Sequence, residues 1–335
     1  MKKYMLMTAA VLLLFVGCSN DDIEVITSSE VSFTVNPETV VSGFPQFNAG
    51  ELLTVPSGYY VRTRLMIYDA NGDYVKGIQQ NLSNYGRTMK PVFELAKGDY
   101  TAVAMTCIYK EEDDDDYWTL ANVSSLSTAV VISKYYNNQK LSILGLSKMN
   151  FTVTGEPTQS FLMNVYPAGA LLAVEYQNNQ RNIDYYLLTL SRKGTRFNLG
   201  NEYTEVSGQD NTSYAVNVLR TAGYSVGSTV QTYEFVLPVA ASTVLKFNHS
   251  ADLSTYTYYN KNVYTLSSID VGEMYYCIFK IGDTVADLES EVYLQDTEYV
   301  SYNAKRVQQF FTDEDGPVDC MLSPGKEIRL SDIAK

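Results

Sequence analysis

The chain has 335 residues, 45% of them hydrophobic, and its 25 basic residues stand against 38 acidic ones, a net charge of −13 at neutral pH. That balance excludes a basic track along a phosphate backbone, so nucleic acid is not an expected partner. One histidine and four cysteines leave little for histidine-based catalysis or a dense disulfide framework, while 28 tyrosines beside a single tryptophan point to strands.

Lys2 and Lys3 precede an apolar stretch, residues 4–16. It is shorter than the ~20 apolar residues of a permanent membrane helix and reads as a secretory signal. The stretch ends on Phe15-Val16-Gly17-Cys18 and turns at once to Ser19-Asn20-Asp21-Asp22. A cysteine behind a small residue at this border resembles the bacterial lipobox, whose thiol is acylated and becomes the first residue of the mature protein. Residues 1–17 are then a lipoprotein signal, and Cys18 is the attachment point to outer-membrane lipid. The competing reading is a plain secreted chain with an incidental cysteine. Acyl chains add about 0.8 kcal/mol per buried CH₂, and several together hold stably. Ser19, Asn20, Asp21 and Asp22 resemble the acidic export tags of surface lipoproteins in Bacteroides-type bacteria; the alternative is a solvated linker. Cleavage before Cys18 removes two lysines and no acid, which takes the charge from −13 to −15.

Residues 18–30 have no structural period and read as a tether. "VSFTV" (31–35) alternates and predicts a first strand. "YYVRTRLMIYD" (59–69) puts Val61, Leu65 and Ile67 on one face, and Asn71-Gly72 is a strong hairpin signal that returns the chain into "YVKGI". "FELAKGDYTAVAMTCIY" (93–109) predicts two strands joined at Lys97-Gly98-Asp99. After the acidic loop "KEEDDDDYW" (110–118), strands follow in "LSTAVVIS", "KLSILGL" and "MNFTVT". "GEPTQ" (155–159) is the expected domain boundary. Beyond it come "FLMNVYP", "ALLAVEYQNN", "YYLLTLSR", "SYAVNVL", "QTYEFVLPV", "TVLKFN", "NVYTL", "MYYCIFKI" and "EVYLQ", with one short helix expected at "NAKRVQQFF" (303–311). The expected fold is therefore all-β: an N-terminal β-sandwich over 31–157, a C-terminal one over 158–290, and a tail of strand and short helix over 291–335.

Candidate chemistry is sparse. His249, with Ser250 and Asp252 near it, is the one histidine that a hydrolytic triad would have to use, and no Gly-x-Ser-x-Gly elbow surrounds any serine. A loop or strand-end histidine is the reading preferred here. Glu111, Glu112 and Asp113–Asp116 carry oxygen ligands of the kind calcium prefers, but a run of like charges reads as a solvated loop. "DANGDYVKGIQQ" (69–80) lacks the acidic twelfth ligand of an EF-hand loop. No metal or cofactor is expected. Cys107 and Cys277 lie in apolar strand patterns and read as core residues, and a bridge from Cys277 to Cys320 stays open. Tyr135-Tyr136, "YTYYN" (256–260) and Trp118 are the candidate sugar platforms, with strand packing as the default.

Several stretches together resemble the fimbrillin-like lipoproteins of Bacteroides-type bacteria, the family of pilus stalk, tip and anchor subunits. They are "RTRLMIYDANGDYV", "ELAKGDYTAVAM", "MNVYPAGALLAVEYQNN", and "FVLP" followed by "VGEMYYCIFKI". The resemblance implies two tandem transthyretin-like Greek-key sandwiches and subunits joined by donated strands. It also implies a non-catalytic surface role in assembly or adhesion, as a pilus anchor or accessory subunit. The alternative is a surface glycan-binding lipoprotein of a polysaccharide-uptake system. Stalk subunits of the family are cut after an early Arg or Lys. Here no basic residue occurs between Lys3 and Arg62, and Arg62 and Arg64 sit inside a predicted strand. The expectation is that residues 18–61 are retained.

Overall fold

A computed structural model describes residues 28–42, 44, 55–113, 115–133, 143–178, 183–202, 204–207, 214–224, 229–250, 259–281, 288–295 and 326–327. Cys18 with its four following residues, the expected helix at 303–311, Cys320 and Tyr135-Tyr136 lie outside them.

The described chain is all-β, apart from one four-residue helix. In order, β1 (Ser28–Asn36) is followed by α1 (Thr39–Ser42), β2 (Tyr59–Asp69), β3 (Tyr74–Leu82), β4 (Val92–Ala96) and β5 (Gly98–Lys110). Next come β6 (Asp115–Asp116), β7 (Trp118–Ala121), β8 (Val130–Ser133), β9 (Gly145–Val153), β10 (Thr158–Asn164) and β11 (Tyr166–Pro167). The later strands are β12 (Ala170–Asn178), β13 (Ile183–Leu190), β14 (Lys193–Asn198), β15 (Thr204–Ser207), β16 (Tyr214–Tyr224) and β17 (Thr229–Val236). The last are β18 (Thr243–Ser250), β19 (Tyr259–Leu266), β20 (Met274–Ile281), β21 (Leu288–Gln295) and β22 (Lys326–Glu327).

The early strands build two facing sheets. One has the order β10-β1-β4, and the other the order β11-β9-β5-β2-β3-β22. Their shared interior is aromatic: the Phe33 ring meets Phe151 at 5.3 Å edge-on, Phe161 at 5.4 Å and Phe93 at 6.0 Å. The hairpin from β2 to β3 forms where Asn71-Gly72 predicts it. Gly72 has φ +82°, a left-handed conformation that favours glycine, and the Asp69 carboxylate accepts from the Asn71 and Asp73 amides. α1 arises where Asn36 Oδ1 accepts from the Glu38 amide and Pro37 starts a turn. Its Val40 lies so close over β9 that a Cβ on Gly145 would come within 2.4 Å of it.

The central sheet is covered on its other face too, by a sheet of order β15-β14-β8-β7. All residues from Val61 to Tyr68 are therefore buried, not the alternate half that a single covered face predicts. This covering sheet joins distant parts of the chain, because Val130, Val131 and Ile132 of β8 pair with Asn198, Phe197 and Arg196 of β14. Two more four-stranded sheets, β17-β12-β20-β21 and β16-β13-β18-β19, are made by the later strands.

The boundary expected after Pro157 corresponds to a crossover inside the first set of sheets. β9 lies in the central sheet, and β10 pairs in parallel with β1 from Glu30↔Thr158 to Asn36↔Asn164. Even β11 pairs back onto β9, so the first set extends to Pro167. The Gly-Pro-Thr cluster marked a turn correctly, but a turn between two sheets of one sandwich carries the same composition as a linker.

Candidate functional site

The region that bears on function is the slot occupied by β1. Its residues alternate, so Val31, Phe33 and Val35 enter the core at 0–1% exposure while Ser32 faces outward. β1 is the middle strand of its sheet, antiparallel to β4 on one side and parallel to β10 on the other. Ser32 Oγ and Ser160 Oγ lie 2.6 Å apart across the parallel pair. Among the described residues, neither β4 nor β10 has another partner in this sheet, and β1 joins the two.

The first basic residues after Lys3 are built into β2. Arg62 and Arg64 are only 8% and 7% exposed. Both reach Asp116 of β6: Arg62 Nη1 lies 3.4 Å from its Oδ1, and Arg64 Nη2 pairs with its Oδ2. Arg62 Nε also donates to Asn81 Oδ1 at 2.9 Å, and its guanidinium rests 3.3 Å from the Tyr109 ring centre. Arg64 Nε donates to Gln79 Oε1 at 3.2 Å. Burial pulls the Arg64 pKa down, yet the Asp116 charge and hydrogen bond outweigh it, and the net shift is upward. The expectation of a solvated acidic loop thus fails at Asp116. Two buried guanidinium groups need a counter-charge, and the loop supplies it. Lys110 pairs with Glu112 at 3.4 Å and Asp113 at 2.7 Å nearer the surface.

Cys107 faces Arg62 across the β2–β5 ladder and is fully buried. Burial, followed by the nearby Asp116 charge, pushes its thiol up to about 12 against the opposing arginines, so it stays protonated and inert as a nucleophile. Trp118 is 3% exposed and packs edge-on to Phe235 at 6.0 Å, which removes it as a sugar platform. The backbone of His249 is paired on both sides, to Tyr186 and Tyr259, so it occupies a central strand rather than a loop. Cys277 lies in β20, opposite Val174 of β12 and Val292 of β21. Among the described residues, no group of three or more His, Cys, Asp or Glu side chains is placed to hold a metal ion. The buried pair of arginines is what sequence reading missed. Its one signal was two basic residues spaced by two in a strand otherwise rich in apolar residues.

No family model and no curated protein sequence matches the chain. Among solved structures it is similar to a candidate adhesin from Bacteroides thetaiotaomicron, with 12% identity, a TM-score of 0.49, and coverage of 81% of this chain and 96% of that one. A candidate polysaccharide-binding protein from the same organism is similar at 14% identity and a TM-score of 0.47, over 80% of this chain and 98% of that one. A candidate cell adhesion protein from Parabacteroides distasonis follows at 9% identity and a TM-score of 0.44, over 79% and 96%. At such identities the likeness is one of chain path.

Proposed function

We propose that this chain is a non-catalytic cell-surface lipoprotein that serves as a pilus anchor or accessory subunit. Acyl chains on Cys18 hold it in the outer membrane, and β1 stays in place in the mature protein. The observation that supports this reading is the position of β1. It begins ten residues after Cys18 and fills the middle of a sheet, so lipid, tether and hydrophobic core form one continuous piece of chain. A cut after Arg62 or Arg64 would remove the lipid and β1 together. Both arginines are buried in a paired strand, where a protease finds no mobile segment.

Fractionation of cells that express Cys18→Ala tests the anchor: the variant leaves the membrane fraction or accumulates unprocessed. Mass spectrometry of the natural protein tests retention of β1. A mature N-terminus at Cys18 supports the reading, and one at Thr63 or Leu65 replaces it with a polymerising stalk. The burial of Trp118 weighs against the glycan-binding alternative.

A further inference from the structure

The end of the first sandwich at which β1 starts bears on how the molecule faces its membrane. Strand registers bring four features of the chain to that end. Ser28 opposes Ala96 at the close of β4, so the turn into β5 lies beside it. The Glu30 amide donates to the Pro157 carbonyl at 2.9 Å, which places the turn from β9 to β10 there too. Gly98 of β5 opposes Val153 of β9, and Tyr100 opposes Asp69, so the β2–β3 hairpin completes the group. We propose that the molecule stands above the bilayer on this end, with the opposite end of the first sandwich directed outward.

The proposal rests on the lipid-anchor reading, and the reach of the tether carries it. The ten residues from Cys18 to Ser28 span at most about 35 Å. β2 has 11 residues, so the sandwich is itself about 35 Å from end to end. For the opposite end to touch lipid, the whole tether would have to run straight back along the body. That state leaves the tether almost no conformational freedom, whereas standing on the β1 end leaves it many paths. At the outward end Tyr59 opposes Lys110, and the Glu111 amide donates to the Gly58 carbonyl at 2.9 Å. Gly145, at the start of β9, pairs with Pro167, so the chain also passes to its later strands from the outward side.

The charge of the lower end fits standing and not sinking. Glu30, Asp73, Glu94, Asp99 and Glu156 are exposed there, against Lys76 and Lys97. A phosphate-bearing lipid surface repels that excess. The two exposed large hydrophobic residues among those described, Val75 and Val92, are single valines on different strands, too little apolar surface to insert. An open groove of about 680 Å³, lined by Ala70, Asp99, Thr101, Thr152 and Gln159, lies at this same end. It therefore faces lipid and not a distant partner.

The test uses the acylated full chain on vesicles of phosphatidylcholine and phosphatidylglycerol that carry an energy acceptor on a headgroup. A fluorophore on an unnatural keto amino acid is placed at one exposed position per protein: Lys97 or Glu156 below, Ser57 or Glu112 above. Energy transfer from the lower pair is expected to exceed that from the upper pair about threefold or more, since the upper labels lie about 35 Å farther from lipid. Ten glycine and serine residues inserted after Asp22 double the tether and are expected to narrow that difference. Equal transfer from both ends overturns the proposal, because the molecule then lies on its side or tumbles. Greater transfer from the upper pair overturns it by inverting the molecule, and a difference untouched by the longer tether overturns the tether as its cause. Flotation with the vesicles is scored first, beside Cys18→Ala. A parent chain that does not float overturns the anchor reading and this proposal with it, whereas failure of the orientation alone leaves flotation intact.

Discussion

Replacing Phe33 by alanine probes the β1 slot directly. The ring is 1% exposed and contacts Phe93, Phe151 and Phe161, which come from β4, β9 and β10. Truncating a buried phenylalanine costs about 3–5 kcal/mol, and each lost edge-on aromatic pair accounts for about 0.5–1.5 kcal/mol. The neighbours belong to two sheets fixed by their own ladders, so the cavity cannot collapse, and the cost belongs near about 4 kcal/mol. At a urea slope of about 2–3 kcal/mol/M, the midpoint falls by about 1.3–2 M with the slope unchanged. Ser32→Ala, one residue away on the outer face, is the control. It removes one hydroxyl pair worth about 1 kcal/mol. A Phe33→Ala midpoint within about 0.5 M of the parent would mean that β1 is not an integral part of the core, and the argument for its retention would go with it.

Asp116→Asn strands two buried guanidinium groups and is expected to cost about 3 kcal/mol, at the lower end for a broken buried pair because the carboxylate keeps 16% exposure; urea unfolding reads it. Limited trypsin digestion of the native protein should leave Arg62–Thr63 and Arg64–Leu65 intact while exposed basic sites are cut, and peptide mapping checks this. Cys107 should resist iodoacetamide at pH 8 until the protein is unfolded, as scored by mass. Since folding raises the Cys107 pKa from an ordinary 9.0 to about 12, the folded state retains a proton that the unfolded state releases in that interval. Stability is therefore full below about pH 9 and declines toward pH 12, with the buried Tyr85 and Tyr68 adding to the fall, as alkaline denaturation should show.

Local periodicity carried most of the strand reading. β2 runs over the predicted 59–69, and the Asn71-Gly72 turn forms where its dipeptide requires it. Periodicity has no means of reporting how many faces a strand buries. In β2 the alternation puts Val61, Leu65 and Ile67 on one face and says nothing of the burial of Arg62 and Arg64 on the other. The covering sheet that buries them is closed by β14, some 65 residues after β8, through three residue pairs with no turn signal between them. Asp116 looked like one more acid in a solvated run, since its partners lie fifty residues earlier in sequence. "KLSILGL" and "MNFTVT" predict two strands, whereas among the described residues one strand, Gly145–Val153, runs straight through the Ser147-Lys148 that separates them.

The parallel pairing of β1 with β10 also sets a clock. Ser32 and its partner Ser160 are 128 residues apart, so the slot that takes Phe33 is incomplete until that much more chain has emerged. At the 5–20 residues per second of protein synthesis, this interval is roughly 6–25 s. Throughout it the earliest strand carries Val31, Phe33 and Val35 with at most one of its two strand neighbours, β4, available, a non-local closure of the kind that slows folding and invites aggregation. A nascent molecule of this design is most exposed at the end made first. A holdase that binds short apolar β-segments would protect it best if it engaged residues 31–35 and let go only after residue 164 had appeared.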